Sequence, residues 1–165
     1  MGVEIERKFT VRGLPGELDN YPYRDIEQGY LNVSPAIRVR AERSITDPHR
    51  PEQVTERYYM TYKGAGVMAR EEYNLALDAG SYEHMRAKAD GHILDKRRFL
   101  IPGGSFRGYD LTIELDVFRG SHDGLIIAEV EFPDEETAQA YEPPDWFDTD
   151  VTGDPAYSNA RLANS

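Results

Sequence analysis

The chain has 165 residues, of which 39% are apolar and none is cysteine, and its formal charge is -11. That length suits a single domain over 1–165 with one core of its own. The missing cysteines exclude disulfides, a thiolate nucleophile and Cys-ligated zinc or iron–sulfur sites, and the acidic balance argues against a general nucleic-acid binder.

Along the chain, stretches rich in Val, Ile, Tyr and Phe with charges at every second place recur at 2–11, 24–32, 36–43, 55–63, 69–77, 92–101, 109–119 and 124–132, the pattern of half-buried strands. Ser34-Pro35, Asp47-Pro48 with Pro51, Gly64-Ala65-Gly66, Pro102-Gly103-Gly104 and the run Gly120-Ser121-His122-Asp123-Gly124 separate them as turns. After the fifth stretch, Asp78 or Ser81 caps a predicted helix near 80–90 that puts Tyr82, Met85 and Ala89 on one face and stops at Gly91. Asp134, after Pro133, caps a second helix through Tyr141, and a third near 156–163 closes the chain. The acidic piece 142–154 reads as an ordered loop or arm, because Trp146 and Phe147 give it something to bury. Long crossover helices are missing, so the expected fold class is all-β dominated, with antiparallel strands and peripheral helices. The longest apolar run, Leu125-Ile126-Ile127-Ala128, is far too short for a membrane span, and the charged opening is unlike a secretory peptide. A cytoplasmic protein with no membrane partner is expected.

The charge is unevenly spread. Residues 134–154 hold eight acids and no base, whereas 1–133 holds 22 acids against 18 bases. Residues i, i+2 and i+4 of a strand share a face, and this parity puts Glu4, Glu6 and Lys8 opposite Val3, Ile5 and Phe9. Arg38, Arg40, Lys63, Arg70, Glu72, Lys96, Arg98, Glu114, Asp116, Glu129 and Glu131 fall on polar faces in the same way, giving seven bases and seven acids in all. Such alternation arises on any antiparallel sheet with one face in water. Here, however, like charges sit in i, i+2 pairs, as in Glu4/Glu6 and Glu129/Glu131 against Arg38/Arg40 and Lys96/Arg98. Paired carboxylates suit a hard divalent cation, and paired bases suit a phosphate chain. If the strands close with these faces inward, the interior is a channel for one extended polyanion and its metal.

The same residues resemble a known family. Glu4-Ile5-Glu6-Arg7-Lys8 is similar to the N-terminal E-x-E-x-K signature of the CYTH, or triphosphate tunnel metalloenzyme, superfamily. Gln28-Gly29-Tyr30-Leu31, Arg38-Val39-Arg40, Tyr62-Lys63-Gly64, Arg70-Glu71-Glu72, Lys96-Arg97-Arg98-Phe99, Glu114-Leu115-Asp116, Glu129-Val130-Glu131 and Tyr157-Ser158-Asn159 follow in the family's order over nearly the whole chain. The resemblance implies an eight-stranded antiparallel closed barrel, charged inside and with helices packed outside, that binds a triphosphate with Mg²⁺ or Mn²⁺ and hydrolyses it. On that basis Glu4, Glu6, Glu129 and Glu131 are the expected metal ligands, direct or through water. Lys8, Arg38, Arg40, Lys63, Arg70, Lys96 and Arg98 are the expected phosphate cradle, with Tyr30 near the substrate. Lys8, Glu72, Glu114 and Asp116 are the expected catalytic groups, serving a second cation or the attacking water. One position departs: Asn74 stands where family members often carry a second Glu after Arg-x-Glu. An amide there still hydrogen-bonds a coordinated water.

The function expected is therefore a metal-dependent triphosphatase cleaving the terminal phosphoanhydride of inorganic tripolyphosphate or of a nucleoside or thiamine triphosphate. Charge stabilisation and alignment of the water supply most of the rate of such a reaction. One alternative is a class IV-like adenylate cyclase, whose base and ribose pocket nothing in the sequence marks. Another is a non-catalytic polyphosphate- or nucleotide-binding module, for which Asn74 is the one hint. The expected partner is a small-molecule triphosphate, with a homodimer left open. The four histidines are scattered without zinc-ligand spacing, and Gly64-Ala65-Gly66 lacks the Lys-Ser/Thr of a P-loop.

Overall fold

Residues 2–165 are described by a computed structural model. Alternating aromatic or β-branched and charged residues form β1 (Gly2–Val11), β2 (Tyr23–Asn32), β3 (Ala36–Ile45), β4 (Val54–Lys63), β5 (Ala69–Leu77), β6 (Asp90–Phe106), β7 (Tyr109–Arg119), β8 (Ile126–Glu131) and β9 (Phe147–Asp150). The helices are α1 (Ala79–Arg86), α2 (Glu135–Ala140) and α3 (Asn159–Ala163). The strands follow one another in the order β5-β4-β3-β2-β6-β7-β8-β1, every pairing antiparallel. β1 then pairs with β5 from Gly2↔Glu72 to Ile5↔Ala69, so eight strands close into a barrel.

Three segments depart from the expectation drawn from sequence. The helix expected near 80–90 ends at Arg86, so that Ala89 lies beyond it and Gly91, its expected stop, lies in β6. The turn expected at Pro102-Gly103-Gly104 is a bulge inside β6, which runs on to Phe106 and turns at Arg107-Gly108. Both turn residues have left-handed φ, +52° and +81°, so the backbone twist of this two-residue turn matches that of its strands. The piece 142–154, expected as a loop or arm, contributes β9. β5 leaves β1 after Ile5, and β9 takes the edge that this vacates, pairing at Phe9↔Asp150 and Val11↔Phe147. Phe147 secures it against Phe9, with ring centroids 4.8 Å apart.

The barrel is polar inside and apolar outside. On the outer face of β1, β6, β7 and β8, Phe9, Phe99, Ile113, Leu115, Ala128 and Val130 form a buried cluster covered by Ala138, Tyr141 and Phe147. α1 covers the outer face of β2, β3 and β4. Asp78 caps it, accepting from the Ser81 N–H at 2.7 Å, and Tyr82 is its buried anchor. Gly29 lets the chain beyond α1 approach β2, since a Cβ there would stand 2.7 Å from Ala89 Cβ and 2.8 Å from Ile93 Cδ1. α3 has a different task. Its Leu162 and Ala163 pack on Tyr30, Leu94, Phe118 and Ile127, which lie two residues from Gln28, Lys96, Asp116 and Glu129 on the same inward faces. One end of the interior is thus apolar and stopped by α3. Among the described residues no helix is long and apolar enough to cross a membrane.

Candidate active site

The rest of the interior is a cavity of about 720 Å³. Glu4, Glu6, Lys8, Tyr30, Arg38, Arg40, Lys63, Arg70, Glu72, Arg98, Glu114, Glu129 and Glu131, all singled out from sequence, line it. Lys96 and Asp116 do not reach its wall; they lie beneath it, fully buried, with Lys96 Nζ 2.7 Å from Asp116 Oδ2. The same carboxylate takes two hydrogen bonds from Arg98, at 2.7 and 2.9 Å. Burial is the largest influence on both groups. It pushes the Lys96 ammonium down to about 7 although Asp116 opposes it, whereas at Asp116 the Arg98 and Lys96 charges outweigh it and hold the carboxyl below its ordinary value.

The acids fall into two sets. Glu6 of β1 faces Glu131 of β8 across the ladder, and carboxylate oxygens of Glu4, Glu6 and Glu131 lie within 4.8 Å of one another. Among the described residues neither Glu6 nor Glu131 has a basic partner within salt-bridge distance. Burial, then repulsion from Glu129 and Glu4, pushes the Glu6 carboxyl well above its ordinary value. Burial, then Glu114, Glu4 and Glu72, pushes Glu131 up to about 7. Three converging oxygen donors with two unneutralised charges fit a hard divalent cation such as Mg²⁺ or Mn²⁺. Glu4 is the member with a base, since Lys63 Nζ stands 2.8 Å from it and outweighs burial to keep it low. Glu129, grouped with these acids from sequence, is not in the cluster. It lies between Lys8 Nζ at 3.6 Å and Arg98 Nη2 at 3.5 Å, and these bases overcome burial to hold it well below the carboxylate range.

The bases differ as much. Among the buried ones, Arg40, Lys96 and Arg98 each have an acid. Arg38 is only 7% exposed and, among the described residues, has no acid within salt-bridge distance and no hydrogen-bond partner for its Nε. Burial opposes its charge, but the neighbouring Tyr30, Tyr59 and Glu4 outweigh burial and raise its pKa, so a permanent cation without a paired acid lines the cavity. Asn74, the departure from the family pattern, accepts from Thr61 Oγ1 at 2.6 Å and donates to Glu72 Oε1 at 3.0 Å, so it holds Glu72 in place. Arg43 and Arg97, of opposite parity to Arg40 and Arg98, pair outside with Glu56 and Asp25.

No family model matches the chain. The chain is 37% identical over 166 residues to an inorganic triphosphatase of Nitrosomonas europaea, the match covering 98% of this chain and 97% of that one. It is 32% identical to an inorganic triphosphatase of Acetivibrio thermocellus, over 100% and 96% of the two chains. The chain belongs to the inorganic triphosphatase family. A crystal structure of an inorganic triphosphatase superposes with a TM-score of 0.63 at 33% identity, covering 98% of each chain.

Within this triphosphatase fold the cavity also gathers residues that the charge pairs alone did not single out: Arg24, Glu42, Tyr59, Thr61, Ser158 and Asn159. Strand parity carries a signal for four of them. Glu42 continues Arg38 and Arg40, Tyr59 and Thr61 precede Lys63, and Arg24 shares the face of Tyr30. Ser158 and Asn159 lie outside the strands and carry no parity signal; in the sequence only the family match at Tyr157-Ser158-Asn159 marks them, and the tertiary fold brings them to the site. There the Tyr157 carbonyl accepts from Lys8 Nζ at 3.1 Å and Asn159 Oδ1 accepts from Lys96 Nζ at 3.1 Å.

Proposed function

We propose that this protein is a metal-dependent triphosphatase of the CYTH type, hydrolysing the terminal phosphoanhydride of inorganic tripolyphosphate or of a nucleoside or thiamine triphosphate. The observation that carries the reading is the presence, in one cavity, of two unsatisfied sets of opposite sign. Among the described residues, Arg38 is buried with no acid within salt-bridge distance, and Glu6 and Glu131 face the cavity with no base within salt-bridge distance. A phosphate chain satisfies the first and a divalent cation the second. The names of the relatives add independent support.

Glu4, Glu6 and Glu131 would hold the cation, which when bound neutralises phosphate charge and lowers the pKa of a coordinated water. Arg38, Arg40, Arg70 and Lys63 bind and orient the phosphate chain along the wall. Glu72, steadied by Asn74, and Glu114, bonded to Arg98 at 2.9 Å, are charged acceptors able to orient a water in line with the terminal phosphorus. Charge complementarity supplies the catalysis, since phosphoryl transfer asks little covalent work of the protein.

A phosphate-release panel tests the reading, with tripolyphosphate, ATP, GTP and thiamine triphosphate under Mg²⁺ and Mn²⁺ in turn. Orthophosphate released from tripolyphosphate and abolished by EDTA is the expected result. Release of cyclic AMP with pyrophosphate, or tight binding without turnover under either cation, overturns it in favour of a cyclase or a binding module.

A further inference from the structure

Arg40 of β3 lies between Gln28 of β2 and Tyr59 of β4, its partners across the two ladders. Its Nε donates to Gln28 Oε1 at 2.7 Å, and its Nη1 donates to Tyr59 Oη at 3.2 Å and Glu42 Oε1 at 3.4 Å. The Tyr59 hydroxyl in turn donates to the same Glu42 oxygen. The Tyr59 ring is flanked by two cations, the guanidinium carbons of Arg40 and Arg57 standing 5.9 and 5.8 Å from its centroid. Gln28, Arg40 and Glu42 are buried, and Nη2 of Arg40 is left without a protein partner among the described residues.

Glu42 is out of place by charge alone. Although burial opposes it, the Tyr59 hydrogen bond and the Arg40 charge keep its carboxyl below its ordinary value, so it is an anion in the wall of a cavity built for polyanions. Electrostatics by itself makes such a group unfavourable to substrate. We propose that Glu42, Tyr59 and Gln28 are positioning residues that fix the Arg40 guanidinium with its free Nη2 edge turned to the phosphate chain. This deepens the triphosphatase reading and rests on it. A flexible arginine loses rotamer freedom when it grips a ligand, and a clamp that orders it beforehand removes that loss from the binding step.

The sign of one substitution separates this role from its rivals. Glu42→Gln deletes a negative charge, so simple electrostatics tightens tripolyphosphate binding, whereas loss of the clamp weakens it. Tyr59→Phe changes no charge and removes the bridging hydroxyl. Each variant is expected to raise KM for tripolyphosphate about 5- to 10-fold with kcat within about twofold, the size of one or two hydrogen bonds that act on ground and transition states alike. In an Arg40→Ala background both effects should vanish, since the clamp then has nothing to hold. A lower KM in Glu42→Gln, or equal effects with and without Arg40, overturns the proposal.

A second readout works in the substrate-free protein. The Arg40 Nε–H resonance should exchange slowly in wild type and fast in Gln28→Ala. A wild-type enzyme without triphosphatase activity would defeat the functional reading only. The clamp would then be decided by this resonance, whose protection supports it and whose free exchange overturns it.

Discussion

Replacing Glu131 by glutamine keeps the shape of the side chain and deletes a charge that the fold holds at a cost. Burial and the Glu114, Glu4 and Glu72 carboxylates push this carboxyl from 4.5 up to about 7. A shift of that size separates the charged and neutral forms by about 3 kcal/mol. Because Glu131 is exposed at the cavity mouth, screening leaves only about 1–2 kcal/mol of it in the stability. The sign follows from linkage. The folded state binds this proton more tightly than the unfolded state, so the stabilisation is present below pH 4.5 and is lost as the pH rises through about 7. In EDTA the glutamine variant is therefore expected to melt about 2–6 °C above wild type at pH 8, and within about a degree of it at pH 4. Mg²⁺ or Mn²⁺ at a hundredfold excess over its dissociation constant should then stabilise wild type by about 2.7 kcal/mol. The variant should gain much less and lose most phosphate release. Equal melting temperatures at pH 8, together with equal gains on adding cation, would refute the view that these carboxylates converge to receive a metal.

Arg38→Ala should weaken tripolyphosphate binding by about 1.5–3 kcal/mol in calorimetric titration, the contribution of hydrogen bonds to a charged group. Arg43→Ala and Arg97→Ala, outside the barrel, should leave it nearly unchanged. The same Arg38 variant should melt no lower than wild type, because among the described residues no acid stands within salt-bridge distance of Arg38 and its Nε has no partner to lose. Arg98→Ala should cost about 3–5 kcal/mol in denaturant unfolding, because it deprives buried Asp116 of two hydrogen bonds. Asn74→Glu replaces a donor to Glu72 with a repelling carboxylate. It should lower the metal-free melting temperature and enlarge the rise on adding Mn²⁺, and a variant with neither change would show that Asn74 does not act through Glu72.

The barrel was legible in the sequence because its signal is binary: polar and often charged residues alternate with apolar ones through most of the eight stretches. Parity also placed Glu4, Glu6, Arg38 and Arg40 on one wall without any knowledge of pairing. What it could not show is depth along the axis. Lys96 and Arg98 share a face, yet Lys96 lies a step nearer the apolar end stopped by α3, so it pairs beneath the cavity while Arg98 reaches the wall. Glu129 and Glu131 differ in the same way. Strand register, set by partners far along the chain, decides which of them meets Lys8 and which meets Glu6. The added strand at Phe147 was hidden for a similar reason. Its four residues pair only because β5 has already left the edge of β1.

The site is assembled from segments far apart in the sequence. Lys8 in the first strand donates to the Tyr157 carbonyl, 149 positions away, and Lys96 waits for Asn159. A ribosome releases the amino end first, so the charged residues of β1 emerge long before the strands and the final helix that enclose them. Until β8 has emerged and paired with β1 the barrel is open, and a nascent chain offers cellular polyphosphates and cations only scattered, hydrated side chains. Long-range closure of this kind makes folding slow. In return, it ties completion of the site to the arrival of Ser158 and Asn159, and a chain that stops short of them lacks two residues of the cavity wall and the Lys96 partner.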